Sequence, residues 1–170
     1  MLEYSRLLLQ PRKPPNRLAG SPQPFVLGDI KEPKERLPLG TIRQQRRRLS
    51  WLPFHGLPFL AVHEHDDEPL LFTVHRLWTW PRAWEIRDAD GTIIGRLRRG
   101  VIMPWQSRIT TILTYHQERT LVFLTPLGNQ LGTLLCEEED FLLSFAEELR
   151  EDPLTKMLLL GAVLGWNLLP

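Results

Sequence analysis

The sequence predicts a mainly-β fold: a closed antiparallel barrel wrapped around one apolar C-terminal helix. Three observations lead there. One hairpin pattern recurs three times along the chain. Fifteen prolines in 170 residues favour turns and strand ends over long helices. From Leu154 onward the chain is apolar on nearly every helical face, so it needs a wall around it.

Each hairpin copy pairs a strand with a second strand that begins at a glycine flanked by aliphatics. The first runs over Phe25 to Asp29 and then Leu39-Gly40-Thr41-Ile42. The second runs over Trp84 to Asp88 and then Ile94-Gly95-Arg96-Leu97, with Asp88-Ala89-Asp90-Gly91 as its turn. Gly91 is free to take a positive φ there. The third runs over Val122 to Thr125 and then Leu131-Gly132-Thr133-Leu134. Spaced hairpins of one design argue for a repetitive antiparallel sheet. Further strands are expected at Phe59 to Glu64, Leu70 to Leu77, Arg108 to His116 and Asp140 to Phe145, the last followed by a polar helical turn. β-Branched residues dominate Arg108 to His116.

The final helix is well marked. Asp152 is a suitable N-cap, and Pro153 suits the first helical position. The apolar stretch Met157 to Leu169 is shorter than the roughly 20 residues of a membrane span. Asp152 and Lys156 flank it and Asn167 interrupts it, so it reads as a core helix over 153–169 with no transmembrane span. Closing the sheet around it would also remove exposed strand edges.

Residues 1–24 read differently. Five prolines and several basic residues crowd this segment, which predicts a poorly ordered, basic lead-in to a barrel over 25–170. Pro11 to Pro14 fits a PxxP pattern, so the segment is either a basic linker or a docking site for a protein partner. Leu7 to Leu9 is too short for a signal-peptide core. The single cysteine, Cys136, excludes an internal disulfide and a Cys-rich zinc site. A reducing, cytoplasmic setting follows, peripheral at the inner face of a membrane at most.

Charge is segregated along the chain. Residues 1–50 carry 11 Lys/Arg against 4 Asp/Glu, and residues 101–170 carry 4 against 9. A basic front and an acidic back suit docking on an anionic surface.

Three stretches, DEPLLFTVHR (67–76), WEIRDADGTIIGRLR (84–98) and DFLLSF (140–145) followed by DPLTKMLLLG (152–161), resemble the tubby-like superfamily, in its phospholipid-scramblase and LURP-one-related branch. The resemblance spans roughly residues 59–168. It implies a barrel of about twelve strands threaded by a hydrophobic C-terminal helix. It also implies a lipid-directed role: phosphoinositide or anionic phospholipid binding, or lipid scrambling. The chain lacks the palmitoylated cysteine cluster of animal scramblases. Glu137 to Asp140 is acidic but lacks the spacing of their calcium loop.

Two basic sets are the candidate headgroup contacts. Arg43, Arg46, Arg47 and Arg48 precede Trp51, and basic charge beside exposed aromatics suits a membrane interface. Arg96, Arg98, Arg99 and Arg108 form the second set, with Arg96 and Arg98 on one strand face, where guanidinium groups can grip phosphate. The competing reading is an ordinary solvated loop and polar sheet face.

Other chemistry is poorly served. His63, His65 and Asp67 could share a divalent metal, but the run falls at a strand end where polar residues are expected. Asp88 to Gly91 lacks the later ligands of a calcium loop. There is no GxSxG, P-loop or GxGxxG, and Cys136 lies in an apolar strand before acidic residues. No cofactor and no nucleic-acid motif is indicated. The expectation is a non-enzymatic lipid-surface module, with a soluble scaffold of LURP-one-like type as the alternative.

Overall fold

The computed structural model describes residues 1–12, 25–46, 58–64, 69–105, 111–137 and 140–168. The strands are β1 (Arg6–Pro11), β2 (Phe25–Lys31), β3 (Pro38–Arg46), β4 (Pro58–Glu64), β5 (Leu70–Leu77), β6 (Ala83–Asp88), β7 (Ile93–Arg98), β8 (Val101–Pro104), β9 (Ile112–Gln117), β10 (Thr120–Leu124), β11 (Gln130–Glu137) and β12 (Asp140–Phe145). A 3-10 turn at Glu147–Leu149 leads into helix α1 (Pro153–Leu168). Consecutive strands pair antiparallel, and β1 pairs with β12, so the twelve strands form a closed barrel.

The three hairpin copies are β2–β3, β6–β7 and β10–β11, one in every four strands around the wall. Two of their turns share one geometry. Gly91 (φ 84°) and Gly128 (φ 86°) take left-handed conformations. The amides of Thr92 and Asn129 donate to Asp88 Oδ1 (2.8 Å) and Thr125 Oγ1 (3.1 Å). In the first copy Arg36 (φ 54°) holds the left-handed position instead.

The recurring strand glycines mark close approaches. A Cβ on Gly40 would sit 2.4 Å from the His63 carbonyl oxygen, and one on Gly132 would sit 2.7 Å from that of Ser144. At Gly95 it would meet Leu158 Cδ2 of the helix at 2.4 Å. The sequence repeat is therefore a packing repeat: glycine stands where a neighbouring strand or the central helix presses on the backbone.

Alternation sends one face of every strand to the helix. Leu60, Val62, Phe72, Val74, Ile86, Leu97, Ile102, Ile112 and Phe123 are buried. Helix α1 fills the interior they enclose, and Leu158, Leu159, Leu160, Ala162, Val163 and Leu164 are at most 1% exposed. Burial on consecutive positions leaves no solvent face over this stretch, as the barrel-plug reading requires. Full burial of each large aliphatic contributes roughly 1.5–3 kcal/mol. The helix starts as expected: Asp152 Oδ1 accepts from the Thr155 amide (2.9 Å) and Oδ2 from the Thr155 hydroxyl (2.6 Å).

Two sequence expectations need correction. The barrel begins at Arg6, not at Phe25. Strand β1 lies within the segment read as a poorly ordered lead-in, and it closes the wall between β12 and β2. Leu7 and Leu9 point inward and are buried; two residues of alternation sufficed for a strand held on both edges. Residues 13–24 lie outside the described residues. Second, β9 spans Ile112–Gln117 and Thr111 stands outside it; residues 106–110 lie outside the described residues. On it Ile112 is buried whereas Leu113 and Tyr115 are exposed. Strand β8 was not anticipated.

The N-terminal residues also cap the lower end of the barrel, where helix α1 enters. The Met1 ammonium pairs with Glu64. Buried Lys156, on the first turns of α1, donates from Nζ to the Leu2 carbonyl oxygen at 2.7 Å. Its ammonium stands 5.5 Å from the Phe145 ring centroid. Burial, with the Arg150 charge adding to it and Asp152 opposing, holds this amine below its ordinary value of 10.5.

Two predictions follow from the helix. Leu160→Ala is expected to cost about 2–5 kcal/mol in urea unfolding, and Leu160→Asp to leave no cooperative transition; a folded, wild-type-like Leu160→Asp protein would contradict burial. For Lys156 the folded state binds its proton less tightly than the unfolded chain, so the penalty of the buried charge is present at neutral pH. It is relieved as pH rises from the lowered value towards 10.5. The stability of the wild type relative to Lys156→Met should therefore rise as pH climbs through the lowered value towards 10.5 and level off above it, as read by paired denaturation curves.

Candidate functional site

The up-and-down order of the strands sorts the connections into two ends. The upper rim carries the β1–β2, β3–β4, β5–β6, β7–β8, β9–β10 and β11–β12 connections and the C-terminal end of α1. The lower end carries the three repeated turns, the entry to α1 and the N-terminus.

On the upper rim the β5–β6 loop displays two tryptophans. Trp78 is 88% and Trp80 91% exposed. The loop is compact, with a cis Trp80–Pro81 bond and the Thr79 hydroxyl donating to the Pro81 carbonyl oxygen (3.2 Å). Exposed Arg82 follows within it. Register places exposed Arg98 beside this loop, because Ala83 pairs with both Leu77 and Arg98. Arg99, exposed and left-handed (φ 50°), forms the adjoining turn with Gly100. Between residues 76 and 84, and between 97 and 102, the chain has no carboxylate. The acidic connection at Glu137 and Asp140 lies across the barrel, six strands away. One side of the rim therefore joins bare indole rings to guanidinium charge that no carboxylate pairs among the described residues.

The sequence candidates fall on this frame unevenly. Arg98 and Arg99 lie on the rim side just described. Arg96 does share the outer face with Arg98, but its charge is committed. Glu85, only 2% exposed, accepts from Arg96 Nε and Nη2 on Oε2 (3.0 and 2.9 Å). It accepts from Arg87 Nε and Nη2 on Oε1 (2.9 and 2.6 Å). The Arg96 guanidinium also covers the Trp105 ring, 4.9 Å from its centroid. It organises the wall instead of standing free for a headgroup. Arg43 is half-buried and already engaged. Arg46 ends β3 at the upper rim, paired with Pro58. Arg47, Arg48, Trp51 and Arg108 lie outside the described residues.

The described residues hold no group of three His, Cys, Asp or Glu side chains suited to a metal ion. His63 is half-buried on β4 opposite Thr41. His65 and Asp67 lie outside the described residues.

Sequence reading missed Trp78 and Trp80. The signal was there in the run Trp78-Thr79-Trp80-Pro81-Arg82: two indoles, a proline and a basic residue just past the close of a strand.

No family model, curated protein or solved structure matches this chain.

A second feature of the rim is a cavity of about 400 Å³ beside the end of α1. Gly100, Thr114 and the β9–β10 turn border it, and Trp166 and Asn167 form its helix side. Asn167 Nδ2 donates to the Val163 carbonyl oxygen (2.8 Å), and the Thr114 hydroxyl donates to that of Gly100 (2.7 Å).

Burial pushes the Glu85 carboxyl up, but the hydrogen bonds and charges of Arg87 and Arg96 outweigh it and hold the group below its ordinary 4.5. Its contribution is therefore present above pH 4.5 and lost as pH falls through the lowered value. Glu85→Gln is expected to destabilise the barrel by about 1–3 kcal/mol at pH 7, with the deficit shrinking in acid-range denaturation curves; a pH-independent deficit would contradict this.

Proposed function

We propose that this protein is a non-enzymatic membrane-surface domain that docks on anionic bilayers with the Trp78/Trp80 side of its upper rim. The observation that carries the reading is the pair of almost fully exposed indoles beside Arg82, Arg98 and Arg99. Exposed indole is costly in water and favoured in the headgroup zone, where the ring meets acyl chains and its N–H meets polar groups. Each basic side chain near an anionic leaflet adds about 1 kcal/mol, so three give roughly 3 kcal/mol before the indoles are counted. Neither contribution anchors a protein alone; together they give reversible, salt-sensitive binding.

Other features agree with that direction. No helix among the described residues is long and apolar enough to cross a membrane. The apolar helix is occupied inside the barrel, so contact falls to the exterior. The acidic residues Asp88, Asp90, Glu147, Glu148 and Glu151 lie at the lower end, which orients the barrel with its rim towards a negative surface. The anionic leaflet of a cell is the cytoplasmic one, in keeping with a peripheral location at the inner face. The resemblance to the scramblase-related branch of the tubby-like superfamily supports the same lipid-directed role.

The test is co-sedimentation with vesicles of phosphatidylcholine alone or with about 30% phosphatidylserine. Binding to the anionic vesicles only is expected, falling away at about 0.5 M salt, where the screening length is about 4 Å. Trp78→Ala/Trp80→Ala and Arg98→Ala/Arg99→Ala should each weaken it about tenfold or more, with unchanged circular dichroism. Equal sedimentation of both double variants and the wild type would overturn the proposal. So would absence of binding at low salt, and the soluble-scaffold alternative would then stand.

A further inference from the structure

The rim cavity is built differently from the docking surface beside it. Strand alternation turns His116, Leu121, Leu134 and Cys136 towards the barrel interior, and Trp166 closes the helix side. Phe123 lies below, its ring parallel to that of Trp166 (8° between planes, centroids 6.4 Å apart). The deeper wall is thus apolar. The outer lip is polar: exposed Arg119 sits at the β9–β10 turn, with no ion pair among the described residues, and His116 stands on the same side. A volume of about 400 Å³ is that of a small-ligand site, and such sites join an apolar lining to a few polar groups. Gly100 borders the cavity and is the residue after Arg99, so the cavity opens beside the proposed docking side.

We propose that this cavity binds one fatty acid, its hydrocarbon tail against Leu121, Leu134 and Trp166 and its carboxylate at Arg119 on the lip. The inference deepens the membrane-surface reading: the bilayer on which the rim docks supplies the chain. The carboxylate is the group that matches a guanidinium with no ion pair among the described residues at the edge of an apolar hole, and a flexible chain suits a space between a helix end and strand side chains. Glu118 also borders the cavity, which penalises a head carrying several negative charges more than the single charge of a carboxylate.

Cys136 is the only cysteine in the chain and borders the cavity, so its thiol reports occupancy directly. The full-length protein is mixed with dodecanoate, dodecanol or hexanoate, each below its micelle concentration, and thiol reaction with a disulfide reagent is timed. Saturating dodecanoate is expected to slow the reaction about tenfold or more, hexanoate to have little effect, and Arg119→Ala to weaken dodecanoate about tenfold while leaving dodecanol unchanged. Leu134→Trp, which fills the cavity, should abolish protection by both twelve-carbon ligands. A cavity-preserving control, Trp78→Ala/Trp80→Ala, should keep dodecanoate protection while losing vesicle binding. Unaltered thiol kinetics at saturating dodecanoate would overturn the proposal, as would protection equal in wild type, Arg119→Ala and a folded Leu134→Trp protein. Vesicle binding by the Leu134→Trp variant should match the wild type, so failure here and failure of rim docking are read separately.

Discussion

The structure depends on one constraint: a helix apolar on all sides must be surrounded by side chains. Leu158 to Leu160 and Ala162 to Leu164 leave no face for water, and an open sheet would cover only one stripe of such a helix. A closed wall covers every stripe and leaves no strand edge unpaired. Closure is achieved by β1, which joins β12 to β2. The residues before β1 then tie the entry to α1 through the Lys156–Leu2 hydrogen bond and the Met1–Glu64 pair. Plug and wall are mutually required, and Gly95 of the wall, against Leu158, and Gly161 of the helix, against Ile86, show where the fit is tightest.

The same constraint fixes where function can sit. With the interior taken by the helix, contact with other molecules falls to the rims, the outer wall and the space past the helix end. Strict up-and-down order then sends alternate connections to opposite ends. Charge that is spread unevenly along the chain becomes charge that is spread unevenly along the barrel axis and around the rim. Arg82, Arg98 and Arg99 gather next to two bare indoles, and the β11–β12 acids lie opposite. A rim of this kind presents one side to a negative surface and turns another away from it. The cavity lies between these two sides, past the end of the helix.

Much of the fold was legible in the sequence because it rests on local patterns. Alternation, the Asp88–Gly91 turn, the Asp152 cap and the all-round apolar helix each operate within a few residues. What escaped depended on distant partners. Nothing in Leu7 to Leu9 distinguishes a strand from a short apolar stretch until β12 and β2 stand on either side. Strand β8 spans only Val101–Pro104, too few residues for alternation to register. The candidate site was legible only in part, for a related reason. Basic residues could be counted, but whether each was free could not. Arg96 proved to be bound by a carboxylate eleven residues earlier, a pairing set by β6–β7 register. Arg98, two residues on, faces Ala83 and stays exposed. Trp78 and Trp80 were unclaimed because aromatic residues are expected inside, and only the loop geometry shows them outside.

The most direct test of the account is amide hydrogen exchange by mass spectrometry, with and without anionic vesicles. If the helix is a permanent plug and lipid meets only the exterior, peptides covering 154–168 should exchange at the slow rate of global unfolding in both conditions, while 78–82 and 98–101 gain protection on vesicles. Fast exchange in the helix, or loss of its protection when vesicles are added, would show that the helix leaves the barrel and would contradict the account.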